Sequence, residues 1–286
     1  MVGIIWLATA VSASNDYFNR WANDPDVRVQ YESTMIAAMS YLNKQGSGDV
    51  AISTITPLNV HTPALAQMTL TNQAVTPHWF NAQDSLLIPN SPQSTVILPG
   101  FTPIPAAFAD YFAPAELIAT LSLRETDRDR PLSIYAIETD ELLATIEPQF
   151  TLTAKSIRFG TALTFLGHDL QTAVLKPGAV IQIATLWQIE QPLPNAQLFT
   201  HVLDSDGTPI AQADKLGVPG EGWQAGDRFI QLHEIWLPAE TAVGDYPLAI
   251  GLYTDRQGHI GQRQPLFINN QPQGDSLQLP PLSVTQ

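Results

Sequence analysis

Two short segments combine a tryptophan with amide and carboxylate side chains, the residue types from which sugar-binding surfaces are built. Residues 78–84 read HWFNAQD and residues 222–227 read GWQAGD. An indole face can pack against a sugar ring while amides and carboxylates bond to its hydroxyls. The segments therefore predict a carbohydrate-binding site, with Trp79, Asn81, Asp84, Trp223, Gln224 and Asp227 as its candidate residues. The alternative is that each tryptophan packs in a core or at a domain junction, as large aromatic residues commonly do.

The histidines do not form a recognisable metal motif. None has the HExxH spacing that places two imidazoles on one helix face, so no zinc site is predicted. His201 and His233 fall within strand patterns, where a packed or half-exposed histidine is the favoured interpretation. Residues 204–207 (DSDG) resemble the start of a calcium loop but lack its later ligands, and Asp-Gly is typical of a tight hairpin turn.

Signatures of common enzymes are also missing from the sequence. There is no GxSxG elbow, no GxxxxGK[ST] loop and no GxGxxG segment. We therefore assign no catalytic residue, no metal site and no cofactor. Paired carboxylates of a glycoside hydrolase stay open as an alternative, because two acids that meet in space need not be close in sequence.

Composition limits the class of protein and its partners. The chain has 286 residues, of which 44% are hydrophobic and 14% are charged, which is typical of a globular protein. Its formal net charge is −14 with 13 Lys and Arg residues, so it would repel the phosphate backbone and nucleic acid is excluded as a partner. It has no cysteine, which excludes disulfides and thiolate chemistry.

The second half of the sequence has the pattern of an all-β sandwich, of the Ig-like or jelly-roll kind. Residues 180–187 and 229–236 contain period-two apolar patches, and turn signals recur along residues 175–258. Residues 280–284 add a final edge strand. We expect this domain to span residues 156–286, after a linker near residues 141–155.

The first half predicts an α/β layer domain over residues 15–145. Apolar residues at helical spacing between residues 15 and 43 indicate an amphipathic helix, with a cap at residues 24–26. A strand at residues 49–55 and a second helix at 62–70, capped by Thr62, follow. Further strands are predicted at residues 85–88, 94–98, 117–121 and 132–137, with a short helix at 106–112.

Residues 1–14 form a separate apolar segment. Residues 1–13 (MVGIIWLATAVSA) carry no charge and are shorter than the roughly 20 residues that span a bilayer. Three interpretations stay open: a remnant of a membrane helix, a leader resembling a signal peptide but without its positive start, or an ordinary buried helix.

The whole chain resembles the extracytoplasmic C-terminal region of bacterial membrane glycosyltransferases of the dolichyl-phosphate-mannose protein mannosyltransferase type, family thirty-nine. In the first half the likeness rests on residues 16–22 (DYFNRWA), 26–28 (DVR), 31–32 (YE), 50–53 (VAIS), 61–65 (HTPAL), 79–80 (WF) and 85–89 (SLLIP). In the second half it rests on residues 175–178 (LKPG), 186–187 (LW), 199–204 (FTHVLD), 206–207 (DG), 211–214 (AQAD), 223–227 (WQAGD) and 244–253 (GDYPLAIGLY).

This resemblance implies a place and a role. Such enzymes use a lipid-phosphate-linked sugar, and their catalytic acids lie in a first extracytoplasmic loop that this sequence does not contain. The chain would then be a non-catalytic accessory region on the extracytoplasmic face of the cell membrane, positioning a glycan or a glycosylated acceptor beside the transmembrane region of its parent protein. The alternatives are a stand-alone glycan-active hydrolase and a structural or adhesive surface protein.

Overall fold

A computed structural model describes residues 2–54, 63–170, 174–256 and 259–286. The predicted helix cap Thr62, His61 and the end of the first predicted strand at residue 55 lie outside these ranges. The described residues are mostly β-structure arranged in three sheets, with a sandwich-like second half. None of the described helices is long and apolar enough to cross a membrane.

Five α-helices are described, all in the first half: α1 (Val2–Asn15), α2 (Pro25–Gln30), α3 (Ser33–Gln45), α4 (Pro63–Thr69) and α5 (Thr139–Ile146). Asp24 caps α2 as predicted, because its carboxylate accepts the backbone N–H groups of Asp26 and Val27. The prediction of a single helix up to residue 43 is wrong, because α2 and α3 are separate helices. Glu32 adopts a left-handed conformation with φ 56°, which ends α2 and begins α3 on a new axis.

The first half contains a five-stranded mixed sheet and one further strand. Its strands are β1 (Gly48–Ser53), β2 (Val75–Phe80), β3 (Ser85–Ile88), β4 (Gln93–Pro99), β5 (Glu116–Leu121) and β6 (Leu132–Glu138). The sheet order is β2-β1-β4-β6-β5, with β1 parallel to both β2 and β4.

Alternation along β1 divides its side chains between two cores. Val50 and Ile52 join a core with Met35 and Leu42 of α3, whereas Ala51 joins the large core of the second half. Ile36, one of the apolar residues between positions 15 and 43, lies on the outer side of α3 and is 44% exposed.

Two sheets form the second half. Its strands are β7 (Thr151–Phe159), β8 (Leu163–Leu170), β9 (Val174–Leu175), β10 (Val180–Ile189), β11 (Ala196–Leu203), β12 (Pro209–Asp214), β13 (Arg228–Trp236), β14 (Gly244–Arg256), β15 (His259–Arg263), β16 (Leu266–Ile268), β17 (Gln271–Pro272) and β18 (Leu277–Val284). The first sheet has the order β17-β16-β7-β8-β10-β13-β3, and the second β12-β11-β14-β18-β9 with β15 beside β14.

The strand β3 joins the two halves, because it belongs to the sheet of the second half. It pairs antiparallel with β13 from Ser85 opposite Gln231 to Ile88 opposite Arg228. Leu86 and Ile230, which pair in this ladder, are both fully buried in the same core. The division into domains at 15–145 and 156–286 stays a prediction, while the larger of the two cores contains described residues from both ranges.

Side chains of the segment between β4 and β7 reach across to the same sheet. The Tyr111 hydroxyl donates to Asp169 of β8 at 2.5 Å, and Arg228 of β13 pairs with Glu147 at 3.0 Å. Tyr111 also packs against Phe108 and Phe150. This segment therefore ties the first half to a second part of the sheet.

Candidate functional site

The polar residue that connects the halves most directly is His78. Because His78 and Trp79 are consecutive on β2, their side chains lie on opposite faces of the sheet. His78 faces the second half, where its Nδ1 lies 2.7 Å from a carboxylate oxygen of Asp227. Its Nε2 lies 2.9 Å from Asp49, which is on the neighbouring strand β1. His78 thus lies between two carboxylates, one from each half.

These partners set the charge of the imidazole. Burial lowers the pKa of His78, but hydrogen bonds and charge interactions with Asp227 and Asp49 outweigh burial and raise the pKa above its ordinary value of 6.5. The histidine side chain is 2% exposed and that of Asp227 is 3% exposed. Because each ring nitrogen of His78 faces a carboxylate, the side chain is held as an imidazolium. Neither nitrogen is free to act as a general base.

Asp227 also fixes a loop of the first half. Its second carboxylate oxygen accepts the backbone N–H of Asn90, just beyond β3, at 2.9 Å. We call the four residues Asp49, His78, Asp227 and Asn90 the junction clamp. It holds the start of β13 against the end of β3.

A second polar contact lies at the other end of β3. Asn81 donates to Asp84 at 2.8 Å, and Asp84 forms an ion pair with Lys215 of the second half. The backbone N–H of Asn81 donates to the carbonyl of Gly217 at 2.7 Å. The loop between β2 and β3 is therefore bonded to the loop that precedes β13.

Gln231 connects this loop to the sandwich and is fully buried. Its carbonyl oxygen accepts from the Ser85 hydroxyl at 2.6 Å and from the Gly217 N–H at 2.8 Å. Its amide donates to the carbonyls of Asp84 and Leu232, each at 3.0 Å. All four hydrogen-bonding positions of the side chain are used, which satisfies a buried amide completely.

A second buried histidine lies within the sandwich. His233 on β13 bonds to the hydroxyls of Thr185 at 2.9 Å and Thr200 at 3.0 Å, linking strands from both sheets. Burial first, and then the charge of Lys215, lower the pKa of His233 to about 3. It is therefore neutral at physiological pH, and this satisfied core position agrees with the interpretation favoured from the sequence.

A cleft opens beside the junction clamp, between the two halves of the chain. We call it the junction cleft, and its volume is about 480 Å³. Its lining residues are Ile88, Pro89, Asn90, Ser91, Pro92, Thr139, Asp140 and Leu143 from the first half and Gln188, Gly226 and Arg228 from the second. Gly226 has φ 91°, and a Cβ there would lie 2.2 Å from the Asn90 amide nitrogen, so glycine lets the two walls approach each other.

The structure places the six predicted sugar-binding residues in three environments. Trp79 is buried in the core under α3, and Trp223 is buried in the sandwich core, where its indole donates to the Val218 carbonyl at 2.9 Å. Asn81, Asp84 and Asp227 lie at the junction in the contacts above. Gln224 is half-buried in the turn before Asp227, whose N–H its carbonyl accepts.

The two tryptophans therefore do not share a surface, and neither presents an exposed indole face. The assignment of the six residues to sugar binding stays a prediction.

Sequence reasoning missed His78, Asn90, Lys215 and Gln231 as junction residues. His78 lies in the segment singled out for its tryptophan, but its partner is 149 positions away. The one local signal is a glutamine at an inward position of the apolar strand β13. Among the described residues, no cluster of three His, Asp or Glu side chains could hold a metal ion.

Comparison with known proteins adds nothing on function. No family model matches the chain, and no curated protein matches it. Among solved structures, the C-terminal domain of Wzt is 15% identical, covers 46% of this chain and 79% of that chain, and has a TM-score of 0.33. A Niemann-Pick type C2 protein from Japanese carpenter ant is 6% identical, with 48% and 98% coverage and a TM-score of 0.28. The CARDB domain of the PF1109 protein from Pyrococcus furiosus is 11% identical, with 48% and 92% coverage and a TM-score of 0.23.

Proposed function

We propose that this chain is a non-catalytic accessory region of a membrane glycosyltransferase, attached to the extracytoplasmic face of the cell membrane, where it positions a glycan or a glycosylated acceptor. The observation that carries membrane attachment is the apolar, exposed helix α1. The kind of parent enzyme rests on the sequence resemblance. In this proposal residues 15–145 are an α/β layer domain and residues 156–286 an Ig-like or jelly-roll sandwich.

Helix α1 is apolar on all sides and covered by nothing in the described structure. Residues 3–20 are all exposed, including Ile4 at 74%, Trp6 at 73% and Leu7 at 68%. A helix that is hydrophobic all round belongs in a core or a membrane, whereas a helix that docks on a protein groove needs only one apolar stripe. Helix α3 is the contrast within this chain, since its apolar stripe is buried and its other side is exposed.

Four exposed aromatic residues form a cluster after α1, three of them within residues 17–21 and the fourth after α2. Tyr17 contacts Phe18 at 5.1 Å and stacks on Trp21 at 4.9 Å between ring centroids, and Trp21 contacts Tyr31 at 5.4 Å. Tyrosine and tryptophan are enriched where membrane meets water, because one end of each ring is apolar and the other polar. The cluster supports a boundary at which α1 lies in lipid and the remainder of the chain in water.

In the proposal α1 lies in the membrane beside the transmembrane region of the parent protein.

The junction supports a positioning role. The carboxylates of Asp49 and Asp227 both bond to His78, and the side chain of Asp227 is 3% exposed, so a substrate could not reach it. A glycoside hydrolase needs two accessible acids on either side of the bond to be cleaved. The junction clamp therefore favours a rigid scaffold over the hydrolase alternative.

Flotation with phospholipid vesicles tests membrane attachment. The full chain should rise with the vesicles, and the variant Trp6→Lys/Leu7→Lys should remain at the bottom of the gradient, since charged residues in the hydrocarbon core are costly. The matched control is Trp236→Lys, because Trp236 is also 73% exposed but lies at the end of β13. It should float like the unchanged chain. A chain that fails to float, or a loss confined to Trp236→Lys, would contradict the proposal.

A transfer assay tests the accessory role. The parent glycosyltransferase without this region should keep its kcat with a lipid-phosphate-linked donor, while its KM for the acceptor rises. An unchanged KM, or sugar transfer by this chain alone, would reject the role.

A further inference from the structure

The junction cleft has the size and the chemistry of a small-ligand site. Its volume of about 480 Å³ lies within the roughly 300–1,000 Å³ typical of such sites. Because its two walls come from residues 88–143 and 188–228, it exists only while β3 is paired with β13.

Two polar side chains in the cleft have no partner among the described residues. These are the Asn90 amide and the Asp140 carboxylate, both of which are exposed. Arg228 uses one nitrogen for Glu147, which leaves further N–H donors, and Gln188 donates to Glu190 at 3.3 Å, which leaves its carbonyl oxygen. The cleft therefore offers donors and acceptors at the same time.

The remaining lining combines apolar side chains with Ser91 and Thr139, whose hydroxyls donate to backbone carbonyls. Ile88 is almost fully buried at the base of the cleft, and Leu143 is half-buried, with Pro89 and Pro92 beside them. A ligand that fits must combine hydrogen-bonding groups around its edge with an apolar face.

This combination selects a neutral, hydroxyl-rich ring. Each hydroxyl both donates and accepts, as the mixture of amide, carboxylate and guanidinium requires. An anionic ligand is disfavoured by Asp140, by Glu147 beside Arg228 and by the net charge of −14. The ring of a saccharide supplies the apolar face through its C–H groups.

The cleft is also held in shape before any ligand arrives. In the junction clamp, Asp227 accepts the backbone N–H of Asn90. Asp227 lies in sequence between Gly226 and Arg228, which both line the cleft. A wall that is already ordered loses little conformational entropy on binding, which favours affinity.

We propose that the junction cleft binds a neutral saccharide, with Asn90 and Asp140 as the residues that hydrogen-bond its hydroxyls. This deepens the proposed function, on which it rests, by naming the ligand class and the residues that recognise it. Of the two predicted tryptophan segments, residues 222–227 contribute Gly226 to the lining of the cleft, and none of the six predicted sugar-binding residues is among its lining residues.

A glycan array followed by calorimetric titration tests the proposal with the full chain in a zwitterionic detergent that carries no sugar group. At least one neutral saccharide should bind, and Asn90→Ala and Asp140→Ala should each weaken binding about tenfold or more. Asp206→Ala removes an exposed carboxylate on the hairpin between β11 and β12 and is the matched control, with affinity expected to be unchanged.

Three outcomes would overturn the inference: no saccharide binds, only charged ligands bind, or binding is unaffected in Asn90→Ala/Asp140→Ala while that variant keeps its melting temperature. Failure here is separate from failure of membrane attachment, because flotation reports on α1 and the titration reports on the cleft. A chain that floats but binds no saccharide would remove the ligand and leave the attachment.

Discussion

Two buried histidines in this chain differ in charge, His78 being cationic and His233 neutral, and their neighbours explain the difference. His78 at the junction faces carboxylates on both ring nitrogens, and its pKa is raised. His233 in the sandwich faces threonine hydroxyls on both, and its pKa is lowered to about 3. Burial disfavours the charged form in both, so the partners decide the outcome.

The difference separates two kinds of contact. Within the sandwich, strands are already paired by backbone bonds, and a neutral histidine completes the packing between sheets. At the junction, a charged histidine joins segments 149 positions apart in sequence. Substitution in the clamp should therefore weaken the contact between the two halves, which the β3–β13 ladder and a shared core also hold together.

The largest effect should come from removing the cation of the clamp. His78→Leu leaves Asp227 charged, buried and without its cation, and we expect the free energy of unfolding to fall by about 3–5 kcal/mol. Chemical denaturation followed by fluorescence measures it.

The matched control for that substitution is His168→Leu. His168 is also buried, but it packs against Phe165 and has no carboxylate hydrogen bond among the described residues. Its cost should be about 1 kcal/mol or less. Equal losses in the two variants would show that the clamp contributes nothing beyond packing.

Acid should destabilise the sandwich through His233. The unfolded chain takes up a proton near pH 6.5 that the folded chain resists down to about pH 3, so stability falls as pH falls through this range. The loss attributable to His233 should reach about 3 kcal/mol at about pH 4. His78 acts with the opposite sign: its contribution is complete below 6.5 and is lost as pH rises through its raised pKa.

Unfolding measured across pH in His78→Gln and His233→Gln separates the two contributions. In His233→Gln, the fall in the free energy of unfolding at acid pH that is attributable to His233 should disappear. In His78→Gln, the fall at alkaline pH that is attributable to His78 should disappear. The same pH profile in both variants would contradict the assignment of charges.

Much of the second half could be predicted because its signals are local. The period-two patches correspond to β10 and β13, and Asp204 and Gly207 form the turn of the hairpin between β11 and β12, where Gly207 has φ 79°. The placement of β3 could not be predicted, because a four-residue apolar run does not specify which sheet it joins.

The candidate site was predicted in its segments and not in its geometry. Residues 78–84 and 223–227 do meet at the junction, but the alternation of β2 turns His78 toward it and Trp79 away. Nothing local to either segment indicates that a histidine in one contacts an aspartate in the other.

Removing His233 should have a smaller effect than removing His78. His233→Leu leaves the hydroxyls of Thr185 and Thr200 without the imidazole, at a cost of about 1–3 kcal/mol in thermal or chemical unfolding. Adding Thr200→Val should recover part of that loss, because one unpaired hydroxyl is then removed. No recovery would indicate that the loss arises from packing.

The smallest effect is expected at the more exposed carboxylate of the clamp. The side chain of Asp49 is 28% exposed, so Asp49→Asn should cost about 1 kcal/mol or less, whereas Asp227→Asn should cost more. Denaturant midpoints of the two variants measure the difference. A larger loss for Asp49→Asn would reverse the ranking of the two carboxylates.

The most direct test is nuclear magnetic resonance of the full chain with ¹⁵N-labelled histidine, titrated across pH and assigned by the signals lost in His78→Gln and His233→Gln. The shifts of the ring nitrogens report how many protons each imidazole carries. We predict that His78 carries protons on both nitrogens up to a midpoint above 6.5, while His233 keeps one proton well below that pH. A His78 that titrates below 6.5, or a His233 that charges together with it, would contradict the charged clamp between the two halves.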